Sequence, residues 1–246
     1  MTFAPDSSTV ASVVPSPNHE PRGARIDILL LHYTGMTTEE EALARLVDRD
    51  SKVSAHYFVY EDGRIVQLVA EQQRAWHAGL SAWKGATDIN ARSLGIEIAN
   101  PGHEFGYRDF PHPQIDAVIA LCRDIVARHH IRRERVLAHS DVAPARKDDP
   151  GERFPWARLA AAGVGLWVEP VAITPGRTLS AGDHGAEVER LQRELARFGY
   201  ALRITRQYDD DTRMVVTAFQ RHFRPERVDG LADPSTVETL RRVLKA

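Results

Sequence analysis

The spacing of apolar positions changes along this chain, and each change marks an element. IDILLL at 26–31 is near-continuously apolar up to His32, which predicts a central strand buried on both faces. Thr37 with Glu40 three residues on predicts a capping box for a helix whose apolar face is Ala42, Leu43, Leu46 and Val47. AHYFVY and RIVQLV flank Glu-Asp-Gly and predict a β-hairpin, because Asp-Gly supplies the turn that joins antiparallel strands. LGIEIAN at 94–100 predicts a further strand. Ile115, Val118, Ile119, Cys122, Ile125 and Val126 recur at helical spacing, and RVLAHS then reads as a strand running into a loop at His139. The following DVAPARKDDPGERFPW is too rich in Pro and Asp to continue either element. Strands and helices alternate irregularly, so the expected fold is α/β, a mixed central β-sheet flanked by helices.

The ends of the chain differ from this middle. Residues 1–25 are rich in Pro, Ser, Asn and Gly without period and predict a flexible N-terminal arm, with regular structure starting at Ile26. Residues 169–178, EPVAITPGRT, predict a Pro- and Gly-punctuated linker after a main domain at 26–168. Beyond it only helices are expected. Val188, Leu191 and Leu195 share a face up to Gly199, Val215, Ala218 and Phe219 define a second helix after Asp209–Asp211, and Asp233-Pro234 starts a third with Val237, Leu240 and Leu244. Residues 179–246 therefore predict a small three-helix C-terminal domain.

Composition narrows the class. Apolar residues make up 43% and charged residues 27%, enough for a real core, and the formal net charge of -2 gives no global field toward nucleic acid. The one cysteine, Cys122, lies on the apolar face of its helix and reads as a small buried hydrophobe. No stretch is long and apolar enough for a membrane span, and the N-terminus has no signal-peptide pattern. The expectation is a monomer of the cytoplasm, with the periplasm as the alternative if an export signal is missing from the sequence.

A catalytic zinc needs three protein ligands and one open position, and two His plus one carboxylate is an established set. His32, His139 and Asp149 could supply it from strand ends and the adjoining loop. Spacing alone does not single them out among 11 histidines. In LGIEIAN the apolar Leu94, Ile96 and Ile98 point one way and leave Glu97 on the opposite face, where a buried carboxylate would need a purpose.

LLLHYT, VSAHYFV, AWHAG, LGIEIAN, LAHSDVAP and RKDDPGERFPW occur in the order and spacing of the second N-acetylmuramoyl-L-alanine amidase family, which includes phage lysozyme-amidases and animal peptidoglycan recognition proteins. The chain resembles that family from about Ile26 to Trp156. The resemblance implies one zinc per chain held by His32, His139 and Asp149, with Glu97 and Lys147 as catalytic groups. It also brings His56, Trp76 and His77 into family segments, as candidates for substrate binding or for orienting a ligand. The implied substrates are peptidoglycan fragments, muropeptides and anhydromuropeptides, cut between N-acetylmuramic acid and L-alanine during recycling. The rival expectations are an amidase acting on sacculi and a non-catalytic recognition protein. Residues 179–246 resemble the three-helix peptidoglycan-binding-domain-1 family, with TRQYDDDT where that family usually has a Gly-containing turn.

Overall fold

The computed structural model describes residues 3–246. Residues 3–25 pack on the domain through strands and hydrogen bonds where a flexible arm was expected over 1–25, the first two residues lying outside the described range. This segment contributes β1 (Ser12–Val13) and β2 (His19–Pro21) ahead of the central strand β3 (Ile28–Tyr33). Its polar side chains fasten it: Ser16 Oγ donates to the Leu46 carbonyl at 2.6 Å, and Asn18 Nδ2 donates to the carbonyls of Asp48 and Val53. Arg22 donates to the carbonyls of Glu71, Ala91, Ser93 and Gln73. Pro, Ser and Asn give no periodic signal, yet they leave backbone and side-chain donors free to pair across the surface.

The middle of the chain follows the periodicities closely. Helix α1 (Glu39–Val47) is capped by Thr38, whose hydroxyl accepts from Glu41 N, one residue later than the box expected at Thr37. Strands β4 (Tyr57–Val59) and β5 (Ile65–Gln67) form the hairpin around Asp62-Gly63, with Gly63 at φ +87°. After β6 (Gln73–Ala75) and the short α2 (Ile89–Arg92) come β7 (Ser93–Ile98), a helical turn α3 (Gly102–Phe105) and the long α4 (His112–His129). Strand β8 (Val136–Ala138) leads into α5 (His139–Val142), so His139 opens a helical turn where a loop was expected. Helix α6 (Trp156–Ala161) ends this part, and α7 (Ala186–Phe198), α8 (Asp210–Phe223) and α9 (Pro234–Val243) complete the chain. Among the described residues no helix is long and apolar enough to cross a membrane.

Six strands form one mixed sheet in the order β1-β5-β4-β7-β3-β8, with β4, β7, β3 and β8 parallel, while β2 and β6 pair separately. Parallel strands buried on both faces explain the unbroken apolar run at 28–31. Leu29 and Leu31 of β3, with Leu94, Ile96 and Ile98 of β7, pack against Ile115, Val118, Leu121, Cys122 and Ile125 of α4. The other face carries Ile28, Leu30 and, at its C-terminal end, His32.

Over β3 and β8 that second face is covered by the three C-terminal helices, and over β4 and β5 by α1. Ile28, Leu30, Leu137, Val142 and the fully buried Trp83 belong to one apolar cluster with Leu191, Leu195, Phe198, Val216 and Phe219. The Trp83 ring meets Phe198 and Tyr200 edge-on at 5.3 and 5.2 Å, and Lys84 N donates to the Gly199 carbonyl. A Cβ at Gly199 would overlap the Trp83 indole, so glycine is what lets the end of α7 approach. The segment 169–178 also packs: Val171 N donates to Thr239 Oγ1 and Ser235 Oγ donates to the Val171 carbonyl. The helices share a core with the sheet.

Candidate active site

Parallel β-strands deliver functional side chains at their C-terminal ends. His32 is the fifth residue of β3, and its register partner on β7 is Glu97. Residues directly paired on neighbouring strands point to the same face, so both side chains enter the same cavity. β8 ends at Ala138, and His139 begins α5 beside them. The loop after α5 returns Asp149, and Ser140 N donates to the Asp149 carbonyl at 3.0 Å, tying the two ends of that loop together.

Three buried ligand-type atoms converge there. His32 Nδ1 and His139 Nδ1 are 2.9 Å apart, and each lies 3.0 Å from Asp149 Oδ2. The surrounding hydrogen bonds assign the tautomers. His139 Nε2 faces the Ala78 carbonyl at 3.0 Å, which only accepts, so Nε2 carries the proton and Nδ1 presents a lone pair. Ser93 Oγ spends its proton on the Ile89 carbonyl, so it accepts from His77 Nε2. His77 Nδ1 therefore accepts from His32 Nε2 at 3.0 Å, and His32 Nδ1 is also a bare lone pair. Two lone pairs and a carboxylate oxygen face one another with no proton between them, an arrangement that is repulsive unless a cation joins it. A tetrahedral ion with bonds of about 2.0–2.2 Å spans ligand separations of roughly 3.3 to 3.6 Å, so the three atoms, now 2.9–3.0 Å apart, would move apart by a few tenths of an ångström to hold one. These residues can hold a metal ion.

Electrostatics follow from burial. Removal from water brings His32 down to about 4, with His139 adding to the effect and Asp149 opposing it, so His32 is neutral and ready to ligate at pH 7. Glu97 shows the reverse. Burial, reinforced by the Asp149 charge and offset in part by Lys147, lifts it well above the ordinary value. The Glu97 side chain keeps some surface toward the cavity, while its Oε2 is enclosed and has no hydrogen-bond partner.

The cavity has a volume of about 340 Å³ and is walled by Tyr33, Trp76, His77, Glu97, His103 and Lys147 around the three ligand-type residues. Lys147 is half-buried at its side, and Trp76 offers part of its indole.

The N-acetylmuramoyl-L-alanine amidase family matches residues 22–152. The chain belongs to that family. A peptidoglycan binding domain matches residues 184–240 of this amidase-family chain. N-acetylmuramoyl-L-alanine amidase AmiD of Escherichia coli (strain K12) is 42% identical over 224 residues, covering 86% of this chain and 80% of AmiD. The structure of E. coli AmiD with the substrate anhydro-N-acetylmuramic acid-L-Ala-D-gamma-Glu-L-Lys superposes with a TM-score of 0.77 at 40% identity, covering 92% of each chain. AmpDh3 of Pseudomonas aeruginosa in complex with anhydromuramic pentapeptide gives a TM-score of 0.72 at 32% identity, covering 92% of this chain and 93% of that one.

In this amidase-family chain the residues expected from sequence divide into groups. His32, His139, Asp149, Glu97 and Lys147 meet at one cavity. His77 also reaches it, but its ring nitrogens are spent on His32 and Ser93, so it fixes the orientation of the His32 ring. His56 departs from the expectation of substrate contact. It is fully buried, its Nδ1 accepts from Gly95 N, its Nε2 lies against the Gln73 carbonyl and the Arg22 guanidinium, and it does not line the cavity. Sequence reasoning passed over Tyr33 and His103, whose Oη and Nδ1 are 2.9 Å apart at the rim, and Arg146, which donates to the Ala78 carbonyl beneath His139. Tyr33, adjoining His32 at the strand end, carried the one available signal.

Proposed function

We propose that this chain is a zinc-dependent amidase that hydrolyses the bond between N-acetylmuramic acid, in its anhydro form, and the L-alanine of a peptidoglycan stem peptide, in muropeptide turnover. The observation that carries the reading is the triangle of His32 Nδ1, His139 Nδ1 and Asp149 Oδ2 placed beside Glu97, a carboxyl whose ionisation is disfavoured by its surroundings. The names of its close relatives, and the anhydromuropeptides bound in two of their structures, support the substrate.

Zinc held by His32, His139 and Asp149 would supply Lewis acidity, lowering the pKa of water toward ~7 and polarising the scissile carbonyl. The rest of the chemistry falls to side chains. Glu97 in its ionised form, which the positive charge of Lys147 and of a bound metal would favour, accepts the proton of the attacking water, because an enclosed carboxylate with an unpartnered oxygen gains from being protonated. The same carboxyl then returns that proton to the departing alanine nitrogen. Lys147 sets a positive charge on the cavity wall, where it stabilises the oxyanion that develops at the carbonyl. His77 holds the His32 ring in the tautomer that presents Nδ1. Tyr33, Trp76 and His103 shape the mouth through which the sugar and peptide enter.

The test is digestion of soluble anhydromuropeptide and of intact sacculi, with products identified by mass and zinc measured on the same preparation. Release of free stem peptide, stoichiometric zinc and loss of activity on chelation support the reading. Tight muropeptide binding without cleavage by zinc-loaded protein would make the chain a receptor and overturn it.

A further inference from the structure

Asp141 lies two residues after His139, on the helical turn that carries that ligand-type side chain, and it is fully buried. A buried carboxylate is tolerated only where donors replace water. One donor is local, Ala138 N at 2.9 Å from Oδ2. The other two come from the C-terminal domain: Tyr200 Oη, just past the end of α7, donates to Oδ1 at 2.6 Å, and His222 Nδ1 of α8 donates to Oδ2 at 2.7 Å. His222 Nε2 has no hydrogen-bond partner, so its tie to Asp141 is the one its ring makes through Nδ1.

The neighbouring residue of α8 grips the far side of the same loop. Arg221 Nη2 forms an ion pair with Asp148 Oδ1 at 2.8 Å, between Lys147 and Asp149, and its Nε lies 3.8 Å from Glu152 Oε2. Glu152 in turn meets His103 Nε2 at 3.2 Å, on the cavity rim. The His222 ring stacks on Trp156 at 3.7 Å, fixing where the loop re-enters the fold. Two consecutive residues of α8 thus hold both ends of the segment 139–152, which contains His139, Lys147 and Asp149.

We propose that the C-terminal helical domain is a clamp for the catalytic loop, with Tyr200, Arg221 and His222 acting as positioning residues that keep His139 and Asp149 in metal-binding geometry. Resting on the amidase reading above, this gives the domain a task beyond holding polymer. A fixed loop keeps the ligand atoms converged before the metal arrives, so less ordering accompanies binding.

The test uses the full chain and the variants Tyr200→Phe, Arg221→Met, His222→Leu and His222→Asn, the last keeping a donor near the Nδ1 position. Zinc affinity is measured by chelator competition, kcat and KM on soluble anhydromuropeptide, and amide hydrogen exchange over 139–152 with and without zinc. Tyr200→Phe and Arg221→Met should remain folded, bind zinc roughly 10-fold more weakly or turn over roughly 10-fold more slowly, and keep KM. Exchange over 139–152 should quicken in the metal-free chain, and His222→Asn should recover most of what His222→Leu loses. Wild-type zinc affinity, kcat and exchange in Tyr200→Phe and Arg221→Met would overturn the clamp, even if His222→Leu fails to fold. A wild-type chain that binds no zinc and cuts nothing would overturn the amidase reading, and the metal-free exchange would still decide the clamp.

Discussion

His32 and Glu97 are register partners on adjacent parallel strands, and their side chains leave the sheet on the same face. One is brought down by burial and ready to ligate, the other raised by burial and ready to carry a proton. The same dry floor produces both effects, because desolvation penalises whichever form is charged.

Glu97→Gln should therefore separate chemistry from metal binding. The amide keeps the volume and removes the proton acceptor, so zinc content should match the wild type while kcat falls on the order of 100-fold or more. The checking measurement is zinc per chain beside kcat on one preparation. Near-normal turnover would remove Glu97 from the mechanism.

Gly95→Ala should weaken metal binding without touching a ligand. A Cβ at Gly95 would lie 2.5 Å from the His77 ring, whose Nδ1 holds His32 Nε2. Displacing His77 frees His32 to rotate or change tautomer, and a loss of about 10–100-fold in zinc affinity is expected. His77→Ala should behave alike, and a His77→Ala chain with wild-type affinity would make the Ser93–His77–His32 relay irrelevant.

The metal-free chain should lose stability on acidification from about pH 7 to about pH 5. Burial brings His32 to about 4 and His56 to about 3, and carries His77 well below its ordinary 6.5. Between 6.5 and those values the unfolded chain binds protons that the folded one refuses, so stability rises with pH in that window. Glu97 pulls the other way above 4.5, since its raised folded value makes the native state bind the extra proton. Three histidines against one carboxyl leave the net sign set by the histidines. Thermal melts of chelated protein across this range check it, and a flat or rising melting temperature toward pH 5 would contradict it.

A chain ending near Val168 should aggregate or unfold. Trp83, Ile28 and Leu30 would lose their cover from Phe198, Tyr200 and Phe219, and Asp141 would keep one of its three donors. Trp83→Ala in the full chain should cost about 3–5 kcal/mol by the same contacts. Soluble, active protein from residues 1–168 would show that the shared core is dispensable, as the sequence pattern of a separate domain behind a linker had suggested.

The sequence by itself determined the elements and the chemical inventory. Continuous apolar runs, Asp-Gly and Asp-Pro steps and helical spacing are local, so they exposed β3, the β4–β5 hairpin, α4 and the three final helices. Family motifs pointed to His32, Glu97, His139, Lys147 and Asp149. What only the tertiary structure decided depends on contacts between residues far apart in the chain. The ordering of residues 3–25 rests on single side-chain donors such as Arg22 and Asn18, which leave no periodic trace. His56 and His77 looked alike in sequence, and one is sealed under the sheet while the other orients His32, because burial is set by which elements meet. The docking of Tyr200, Arg221 and His222 on the catalytic loop spans 59, 73 and 81 positions between partners, and no local pattern encodes a contact of that reach.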